Sequence, residues 1–341
     1  MAKIKAGIIN VTGYAGVELA RLLLQHPEVT LVSVTGRSSA GQKLGDVFPH
    51  LSDHNLSITA QLGKVDIAFS AMPHKESAEA IIPLVKQGIK VVDISADFRL
   101  KDPAAYPQWY GFSHPAPELL QEAVFGLPEL HRAEIKKASL LANPGCYPTS
   151  AILALAPAVK ADIIKPDIIV DSKSGVSGAG RSLSLTTHFA EVNEDVAAYA
   201  LQGHRHLPEI VQELSGLCGQ SLAVTFVPHL IPMTRGILTT AYATLVSGKV
   251  KSKDALVKLY QDFYQDEPFV RVVGAPPHTK HTWGNNLCLI YPTIDPRTGR
   301  LIVISCIDNL IKGAAGQAVQ NMNLMLGLPE TLGLPALAIY P

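Results

Sequence analysis

Charge of either sign is scarce in this sequence, and the two signs are balanced. Only 17% of the 341 residues are charged, with 29 Lys and Arg against 29 Asp and Glu. Without a basic excess, nothing favours nucleic acid or an anionic membrane as a partner. The sequence also lacks an apolar run of the roughly 18 to 20 residues that span a bilayer, since Ala151–Ala156 is soon followed by Lys160. We therefore expect a small-molecule partner, and neither nucleic acid nor a membrane.

Cysteine is equally scarce. The four cysteines are widely spaced, form no Cys-x-x-Cys pair and follow no secretory signal, which predicts reduced thiols in a cytoplasmic protein. Internal repeats and low-complexity tracts are missing as well. The chain nevertheless exceeds the size at which one hydrophobic core usually stops growing, so we expect two domains.

The most informative stretch is residues 143–150, Asn-Pro-Gly-Cys-Tyr-Pro-Thr-Ser, which leads into an apolar segment of helical composition. Asn143-Pro144-Gly145 is typical of a turn, and Pro148 suits the start of a helix. Cys146 is then expected at the N-terminus of a helix, where unpaired N–H groups and the helix dipole favour a thiolate over a thiol. The stretch predicts a nucleophilic cysteine; a small apolar side chain packed behind a tight turn is the alternative.

The N-terminal part predicts a parallel sheet with a dinucleotide site. A strand over residues 3–9, the turn Asn10–Gly16 and a helix over residues 17–25 place backbone N–H groups where a pyrophosphate can bind. Asn10 stands where a first glycine is common, and Asn tolerates the left-handed conformation better than most residues. The alternation continues with a helix over residues 76–87 and strands over residues 29–35, 65–72, 90–95 and 139–142.

Polar residues at the predicted strand ends are the candidates for binding. After the second strand, Arg37 with Ser38 and Ser39 favours NADP, because a cation there accommodates a 2′-phosphate and the local sequence holds no competing carboxylate. His74 is a candidate for lining the cofactor site, and Arg99 for holding an anionic substrate. Between residues 101 and 130, many prolines and aromatic residues predict a long ordered loop.

The second half predicts an α+β domain with a largely antiparallel or mixed sheet, on strands over residues 167–173, 222–228, 236–246, 287–292 and 301–307. One loop there, residues 174–181, has glycines that open backbone N–H groups to an anion and an arginine, Arg181, that adds charge.

A second loop carries His204, His206 and Glu209 at the start of a helix that ends near residue 217. His-x-His suits two metal ligands, but no third ligand cluster is apparent in the sequence, so we favour a histidine general base oriented by Glu209 over a zinc site. A dinucleotide fold, a thiolate and a histidine base together indicate the interconversion of an activated acid and an aldehyde.

These motifs together resemble the N-acetyl-gamma-glutamyl-phosphate reductase family over essentially the whole chain. The cysteine and His-Arg-His blocks are the most specific. The matching segments are Gly13–Gly16 with Glu18-Leu19, 96–99, 126–129, 144–149, 174–181, 204–206 with Pro208-Glu209, 231–232 with 235–236, and 308–310 with 312–313.

The resemblance implies an α/β fold with a Rossmann domain over residues 1–145, to which residues 313–341 return. Residues 146–312 would form a catalytic and dimerisation domain like that of aspartate-semialdehyde and glyceraldehyde-phosphate dehydrogenases. The implied reaction is NADPH-dependent reduction of N-acetyl-gamma-glutamyl phosphate to the 5-semialdehyde, in arginine biosynthesis, through a thioester on Cys146. A homodimer or homotetramer is the implied assembly.

The resemblance also assigns roles to individual residues. Cys146 is the nucleophile, His206 transfers the proton, and Glu209 orients the His206 imidazole. His204 is the less favoured base, and no metal is implied. The implied cofactor-binding residues are Thr12, Gly13, Tyr14, Ala15, Gly16, Arg37, Ser38, Ser39, His74, Ser177, Gly178 and Asn309, which should lie near the nicotinamide. The implied substrate-binding residues are Arg99, Arg181, His204 and Arg235. Asn10 departs from the family's usual glycine, which puts the strength of cofactor binding in question.

Other functions use the same residues. An aminoadipyl-phosphate reductase, or a reductase of a carrier-bound acyl phosphate in lysine biosynthesis, shares the chemistry, although a carrier would require a basic docking patch. Aspartyl phosphate fits less well, because the His-Arg-His block is not that family's pattern. A non-catalytic NADP-binding regulator would keep the fold without a use for Cys146, and a cysteine hydrolase would leave the dinucleotide fold without a use.

Overall fold

Alternation of apolar strands and helices extends through most of the chain, and the computed structural model describes residues 3–341. The strands are β1 Ile4–Ile9, β2 Val29–Thr35, β3 Ile58–Thr59, β4 Ile67–Ser70, β5 Lys90–Asp93, β6 Val124–Phe125, β7 Leu140–Ala142, β8 Ile164–Gly175, β9 Ala197–Ala198, β10 Ala223–Ile231, β11 Ile237–Leu245, β12 Val270–Val272, β13 Cys288–Ile294 and β14 Arg300–Ile307. The helices are α1 Tyr14–Leu24, α2 Leu44–Val47, α3 Glu76–Lys86, α4 Ala105–Tyr110, α5 Pro117–Glu122, α6 Pro128–Ile135, α7 Cys146–Lys160, α8 Phe189–Val192, α9 Leu207–Cys218, α10 Lys253–Phe263 and α11 Gly316–Met325.

The first unit is built on a parallel sheet. It comprises the chain up to Pro144, Gly180–Ser182 and Ala314–Leu334. Its strand order is β3-β2-β1-β4-β5-β7-β6, and every pairing is parallel. The chain leaves β1 towards β2 on one side and returns to β4 on the other. Ligands collect at such a reversal, outside the carboxyl ends of the strands, so the turn after β1 lies at the expected position for a dinucleotide.

The second unit has a mixed sheet, as the sequence predicted. It comprises Gly145–Ala179, Leu183–Gly313 and Pro335–Pro341. Its strand order is β12-β13-β14-β11-β8-β10-β9, with β8 parallel to β10 and β12 parallel to β13. Buried residues alternate along β11 and β14, which shows that one face of the sheet is covered. Helix α7 packs there, where the hydroxyls of Ser150 and Ser305 lie 2.6 Å apart.

Two sequence expectations were wrong. Residues 101–130 are not one long loop but contain α4, α5, β6 and the start of α6, because short apolar segments there pack into the first core. Residues 313–341 do not return to the first unit as a whole. Pro335–Pro341 belongs to the second unit, where the Asn286 N–H donates to the Pro335 carbonyl over 2.9 Å.

Within residues 3–341, none of the helices combines the length and the apolar character needed to cross a bilayer.

His26 is a buried titratable group that contacts the C-terminal part of the first unit. Its Nε2 lies 3.0 Å from Asn323 Oδ1, and its Nδ1 accepts the Glu28 N–H over 3.2 Å. Only the neutral ring with the proton on Nε2 satisfies both contacts. Burial, the largest cause, lowers the pKa of His26 below 6.5.

We predict that protonation of His26 destabilises the fold. The neutral ring of His26 contributes to the free energy of unfolding. Because the pKa of His26 is lower in the folded protein than in the unfolded chain, this contribution is complete above pH 6.5 and is lost as the pH falls from 6.5 through the folded pKa. Urea denaturation at about pH 7.5 and about pH 5.5 should show a smaller loss of unfolding free energy for His26→Gln than for the unaltered protein. The exposed His50 provides the control, since His50→Gln should lose as much as the unaltered protein. Equal losses for His26→Gln would contradict the prediction.

Candidate active site

Cys146 is the first residue of α7, as the sequence predicted. The helix has 15 residues, is buried from Tyr147 to Val159, and begins after Gly145, which has extended backbone angles and provides no side-chain cap. The Cys146 side chain itself is half-buried, and its thiol is not in a disulfide. The N–H groups of a first helical turn have no intrahelical acceptor and carry partial positive charge. This position favours an accessible thiolate.

The imidazole of His206 lies directly against the residue before the cysteine. A Cβ added to Gly145 would stand 2.6 Å from His206 Nε2 and 2.8 Å from its Cδ2. Such contacts are shorter than atoms allow, so only glycine lets the ring approach this closely. His206 is thereby placed beside the start of α7.

Glu209 contacts the same turn through the backbone of Gly145. It is fully buried in the first turn of α9, and its Oε2 accepts the Gly145 N–H over 3.0 Å. The sequence expected Glu209 to orient His206. In the structure, Glu209 bonds the backbone of Gly145, and its action on the imidazole remains a prediction. Within the second unit, the structure therefore brings Cys146, His206 and Glu209 together around one glycine.

His204 has a different environment from His206. Its Nδ1 accepts the backbone N–H of His206 over 3.1 Å, and its ring packs edge-on against Tyr147, Tyr199 and Phe226. Burial, and then Arg205, lower the pKa of His204 to about 4. The neutral ring accepts at Nδ1 and so holds the His206 backbone at the start of α9, while a role of His204 as base or at the substrate remains a prediction.

The segment after β14 packs on the cysteine from another direction. A Cβ on Gly313 would stand 2.8 Å from Cys146 Cβ. Gly313 lies in a π-helical turn, Ile311–Ala315, and its N–H donates to the Asp308 carbonyl over 2.9 Å. π-Turns often mark functional sites, because they shift one residue out of helical register. Here the shifted turn lies against the candidate nucleophile.

Three of the predicted binding residues form one cluster beside this segment. Asn309 Nδ2 donates to Ser177 Oγ over 2.9 Å, while its Oδ1 accepts the Gly236 N–H over 2.7 Å. Gly178 lies next to the same amide, since a Cβ added to Gly178 would stand 3.8 Å from Asn309 Nδ2. The cluster ties the loop after β8 to the loop after β14.

Arg235 borders the same segment. Its Nη1 lies 3.4 Å from an oxygen of the buried Asp308, and its carbonyl accepts the Trp283 indole N–H over 3.0 Å. About a third of its side chain is exposed, at 29%. Arg235 therefore contacts Asp308 at one end of residues 308–313, and Cys146 contacts Gly313 at the other.

In the first unit, the glycine turn has the geometry of a phosphate cradle. Asn10 adopts φ of 66°, as its tolerance of the left-handed region predicted, and its Nδ2 donates to the Ala71 carbonyl over 2.9 Å. A Cβ on Gly16 would stand 2.6 Å from the Asn10 carbonyl oxygen, so α1 packs tightly on the turn. At Gly13, by contrast, an added Cβ meets nothing within 4 Å, and no side chain caps the helix. The residues from Thr12 to Gly16 thus leave open space at an uncapped helix start, which fits a pyrophosphate.

Arg37 follows β2 as predicted, with Ser38 and Ser39, but the expectation that no carboxylate competes for it was wrong. Its Nη1 lies 2.6 Å from Glu76 Oε2. Glu76 opens α3 and comes from a distant strand end, so local sequence did not reveal the pairing. Only the order of the strands brings the two residues together.

Arg99 and His74 lie around a buried carboxylate, Asp97. Its two oxygens accept the N–H groups of Lys75 and Ala78 over 2.7 and 2.8 Å. The buried Arg99 donates from Nε to the Asn143 carbonyl and from Nη2 to the Ile94 carbonyl, each over 2.7 Å. His74, exposed in the loop before α3, contacts the Tyr110 ring. One Arg99 donor thus holds the chain just before Pro144 and the other holds the chain just after β5, while a contact of Arg99 with substrate remains a prediction.

The same strand ends contain a second buried carboxylate, Asp93. It accepts hydrogen bonds from the hydroxyls of Ser77 and Ser95, each over 2.7 Å. Burial, followed by the charge of Asp97, raises the pKa of Asp93 to about 6. Hydroxyl donors are what such a carboxylate requires when it is ionised.

Arg181 lies at the glycine turn. Its Nη1 donates to the Thr12 carbonyl over 3.1 Å, and its guanidinium lies 4.9 Å from the centre of the Phe48 ring. The sequence expected Arg181 at a substrate anion. The structure places it, within the first unit, beside the residues expected to hold the cofactor.

Sequence reasoning did not single out Tyr199, which lies in the aromatic cluster around His204. Its hydroxyl donates to the Tyr147 hydroxyl over 3.2 Å, and burial raises the pKa of Tyr199 to about 12. No turn or charge pattern marks it; only the pairing of β9 with β10 places it there. Among the described residues, no group of three or more His, Cys, Asp or Glu is arranged to hold a metal ion.

Two family models match most of the chain. Residues 5–138 match the semialdehyde dehydrogenase NAD binding domain, and residues 146–309 match the semialdehyde dehydrogenase dimerisation domain.

Curated relatives match along the full length. Proteins named N-acetyl-gamma-glutamyl-phosphate reductase are 62% identical in Dehalococcoides mccartyi, with all of both chains covered, and 54% identical in Citrifermentans bemidjiense, with 99% of this chain and 100% of the relative covered. The Pelotomaculum thermopropionicum relative of the same name is 51% identical, with 99% of each chain covered.

Solved structures share the fold at low identity. Aspartate semialdehyde dehydrogenase II from Vibrio cholerae superposes with a TM-score of 0.72 at 17% identity, covering 96% of this chain and 99% of that one. The Candida albicans aspartate semialdehyde dehydrogenase, solved with NADP, gives 0.68 at 14% identity over 95% and 98% of the two chains.

The contact between Gly145 and His206 generates a prediction about stability. Gly145→Ala forces the imidazole or the turn to move and should cost about 1 to 3 kcal/mol of unfolding free energy, as overpacking does. Gly13→Ala is the matched control, because Gly13 is also a helix N-cap but the added methyl group meets nothing within 4 Å, so it should cost clearly less than Gly145→Ala. Equal effects of the two substitutions in urea denaturation would show that the ring does not rest on Gly145.

Proposed function

Because the chain belongs to the N-acetyl-gamma-glutamyl-phosphate reductase family, we propose that Cys146 and His206 carry out its reaction. That reaction, in arginine biosynthesis, reduces N-acetyl-gamma-glutamyl phosphate to the 5-semialdehyde and phosphate. The observation that carries the proposal is the His206 imidazole resting on Gly145, directly before Cys146 at the start of α7. This arrangement supplies a nucleophile with a base beside it.

His206 accepts the thiol proton, and the Cys146 thiolate attacks the acyl carbon of the substrate. The resulting oxyanion lies at the α7 N-terminus, where backbone N–H groups stabilise negative charge. The carbon–oxygen bond to phosphate breaks, phosphate leaves with the proton from His206, and a thioester remains on Cys146. NADPH, held by the residues of the glycine turn, would supply the hydride that the thioester carbon takes up. The carbon–sulfur bond then breaks, which releases the aldehyde and regenerates the thiolate.

The described residues fit a dinucleotide. The open space at Gly13, the uncapped start of α1 and the tight contact at Gly16 are suited to a pyrophosphate. Arg37, with Ser38 and Ser39, supports NADP rather than NAD, since it stands where a 2′-phosphate is bound in such folds. Arg181 at Thr12 supports a role at the cofactor phosphates. The Asn309 cluster with Ser177 and Gly178 is our candidate for the nicotinamide end.

For the substrate, Arg235 is our first candidate, because its partly exposed guanidinium borders the segment that packs on Cys146. Arg99 remains a second candidate through its position before Pro144. His204 is assigned a supporting role, because its Nδ1 is engaged by the His206 N–H.

A homo-oligomer is part of the proposal, since the matched second domain is a dimerisation domain. The other face of its sheet carries partly exposed apolar residues: Ile169, Leu238, Tyr242, Ile302 and Ile304. A second copy of this sheet would cover such a face. The free cysteines support a reducing, cytoplasmic location.

We predict that this face joins subunits. Light scattering should give at least twice the 36.5 kDa of one chain, and Ile304→Glu should shift the mass towards the monomer, because a carboxylate would be buried. Ala133→Glu, at an exposed position of α6 in the first unit, is the control and should leave the mass unchanged. A monomer in the unaltered protein would overturn this assignment.

The function is tested in reverse, by phosphate-dependent reduction of NADP with N-acetylglutamate semialdehyde. Strong preference for this aldehyde over aminoadipate and aspartate semialdehydes, and for NADP over NAD, is expected. A preference for the aminoadipate compound would favour the lysine-biosynthesis alternative, and no turnover with any aldehyde would favour the carrier-bound or regulatory alternatives.

The Cys146→Ala variant is the control for the thioester route. Turnover should fall by more than about 10³-fold, because the nucleophile is lost, while NADPH binding remains. His206→Gln should lower turnover by about 10²- to 10⁴-fold, the usual contribution of a general base. Substantial activity in Cys146→Ala would exclude the thioester.

A further inference from the structure

The ion pair between Arg37 and Glu76 spans the cofactor turn. Strands β2 and β4 are the two neighbours of β1 in the sheet. Arg37 follows β2 and Glu76 follows β4, so the two side chains meet from opposite sides of the carboxyl end of β1. The glycine turn starts at that end. The pair therefore lies where the adenosine part of a dinucleotide is bound in this fold.

Glu76 is held in place by its backbone neighbours. The N–H groups of Lys75 and Ala78, on either side of it, both donate to Asp97, which is fully buried. Lys75 also has φ of 73°, an uncommon conformation for a residue with a side chain. Asp97 thus fixes the start of α3, and with it the backbone position of Glu76.

The ion pair itself is open to solvent. The side chains of Arg37 and Glu76 are 76% and 40% exposed. An exposed pair of this kind is weak and is broken easily by a stronger anion. A phosphate dianion binds arginine more strongly than one carboxylate does, but it must first displace that carboxylate.

We propose that Glu76 is a specificity-determining residue that weakens the preference for a 2′-phosphorylated cofactor by competing for Arg37. The proposal rests on the proposed function as an NADP(H)-dependent reductase. Glu76 opposes a 2′-phosphate in two ways, since it occupies the guanidinium and repels the incoming anion. A ribose with a free 2′-hydroxyl suffers neither effect, and a carboxylate at this place is a suitable partner for that hydroxyl. Glu76 therefore reduces the difference in binding affinity between NADP and NAD.

The test uses two probes that bind without turnover, adenosine 2′,5′-bisphosphate and adenosine 5′-monophosphate, in calorimetry on the full-length protein. The measured quantity is the ratio of their dissociation constants. In Glu76→Gln, the preference for the bisphosphate should increase about three- to fivefold, the scale of one exposed ion pair. The increase should shrink at high salt, where exposed charges are screened.

Glu79→Gln is the matched control. Glu79 is exposed in the same first turn of α3 and carries the same charge, but Arg37 pairs with Glu76. Its substitution should leave the preference unchanged. An equal increase in both variants would mean that general charge at the helix start, rather than the ion pair, is responsible, and the proposal would fail.

The double variant identifies Arg37 as the mediator. In Arg37→Gln, the preference for the bisphosphate should fall, and adding Glu76→Gln should raise it by less than it does in the Arg37 protein, because only the repulsion of the anion is then removed. If Glu76→Gln raises the preference for the bisphosphate as much without Arg37 as with it, Glu76 does not act by competing for Arg37. If the unaltered protein binds the bisphosphate but Glu76→Gln leaves the ratio unchanged, this inference alone is wrong. If it binds neither probe, the dinucleotide function is wrong, and this inference with it.

Discussion

The arrangement of the candidate active site depends on the close approach of His206 to Gly145. At this one residue the backbone turns into α7, accepts an imidazole where a Cβ would be, and donates its N–H to the buried Glu209. A larger residue would separate the histidine from the cysteine that follows. Gly313 imposes a similar constraint from the π-turn, because its missing side chain leaves room for Cys146. Two glycines thus bring three segments of the second unit together around one thiol.

The first unit meets a different constraint, which is the burial of carboxylates at the carboxyl ends of parallel strands. Asp93 and Asp97 are fully buried, and the cost of removing them from water is offset by N–H and hydroxyl donors from neighbouring turns. Those hydrogen bonds fix the start of α3, and Arg99 fixes the chain before Pro144. The loops that carry the candidate binding residues of the first unit are therefore fixed by hydrogen bonds to the buried Asp93, Asp97 and Arg99.

Local sequence was sufficient wherever one turn or one helix start carried the information. Cys146 at the start of α7 and the left-handed Asn10 were both confirmed, because turn chemistry and helix capping act over a few residues. The short helices between residues 101 and 130 were missed, because aromatic side chains such as Tyr106 are there to fill the core, and their pattern does not reveal a helix of six residues.

By itself, the sequence determined the parallel and mixed sheets, the cysteine at a helix start, the histidine block and the family resemblance, since these depend on residue order and short-range periodicity. Only the tertiary structure decided that His204 supports His206, that Arg181 lies at the glycine turn and that Glu76 pairs with Arg37. These contacts join residues that the order of strands and the packing of side chains bring close. No pattern along the chain specifies such an encounter, because its free energy depends on the folded neighbours of both residues.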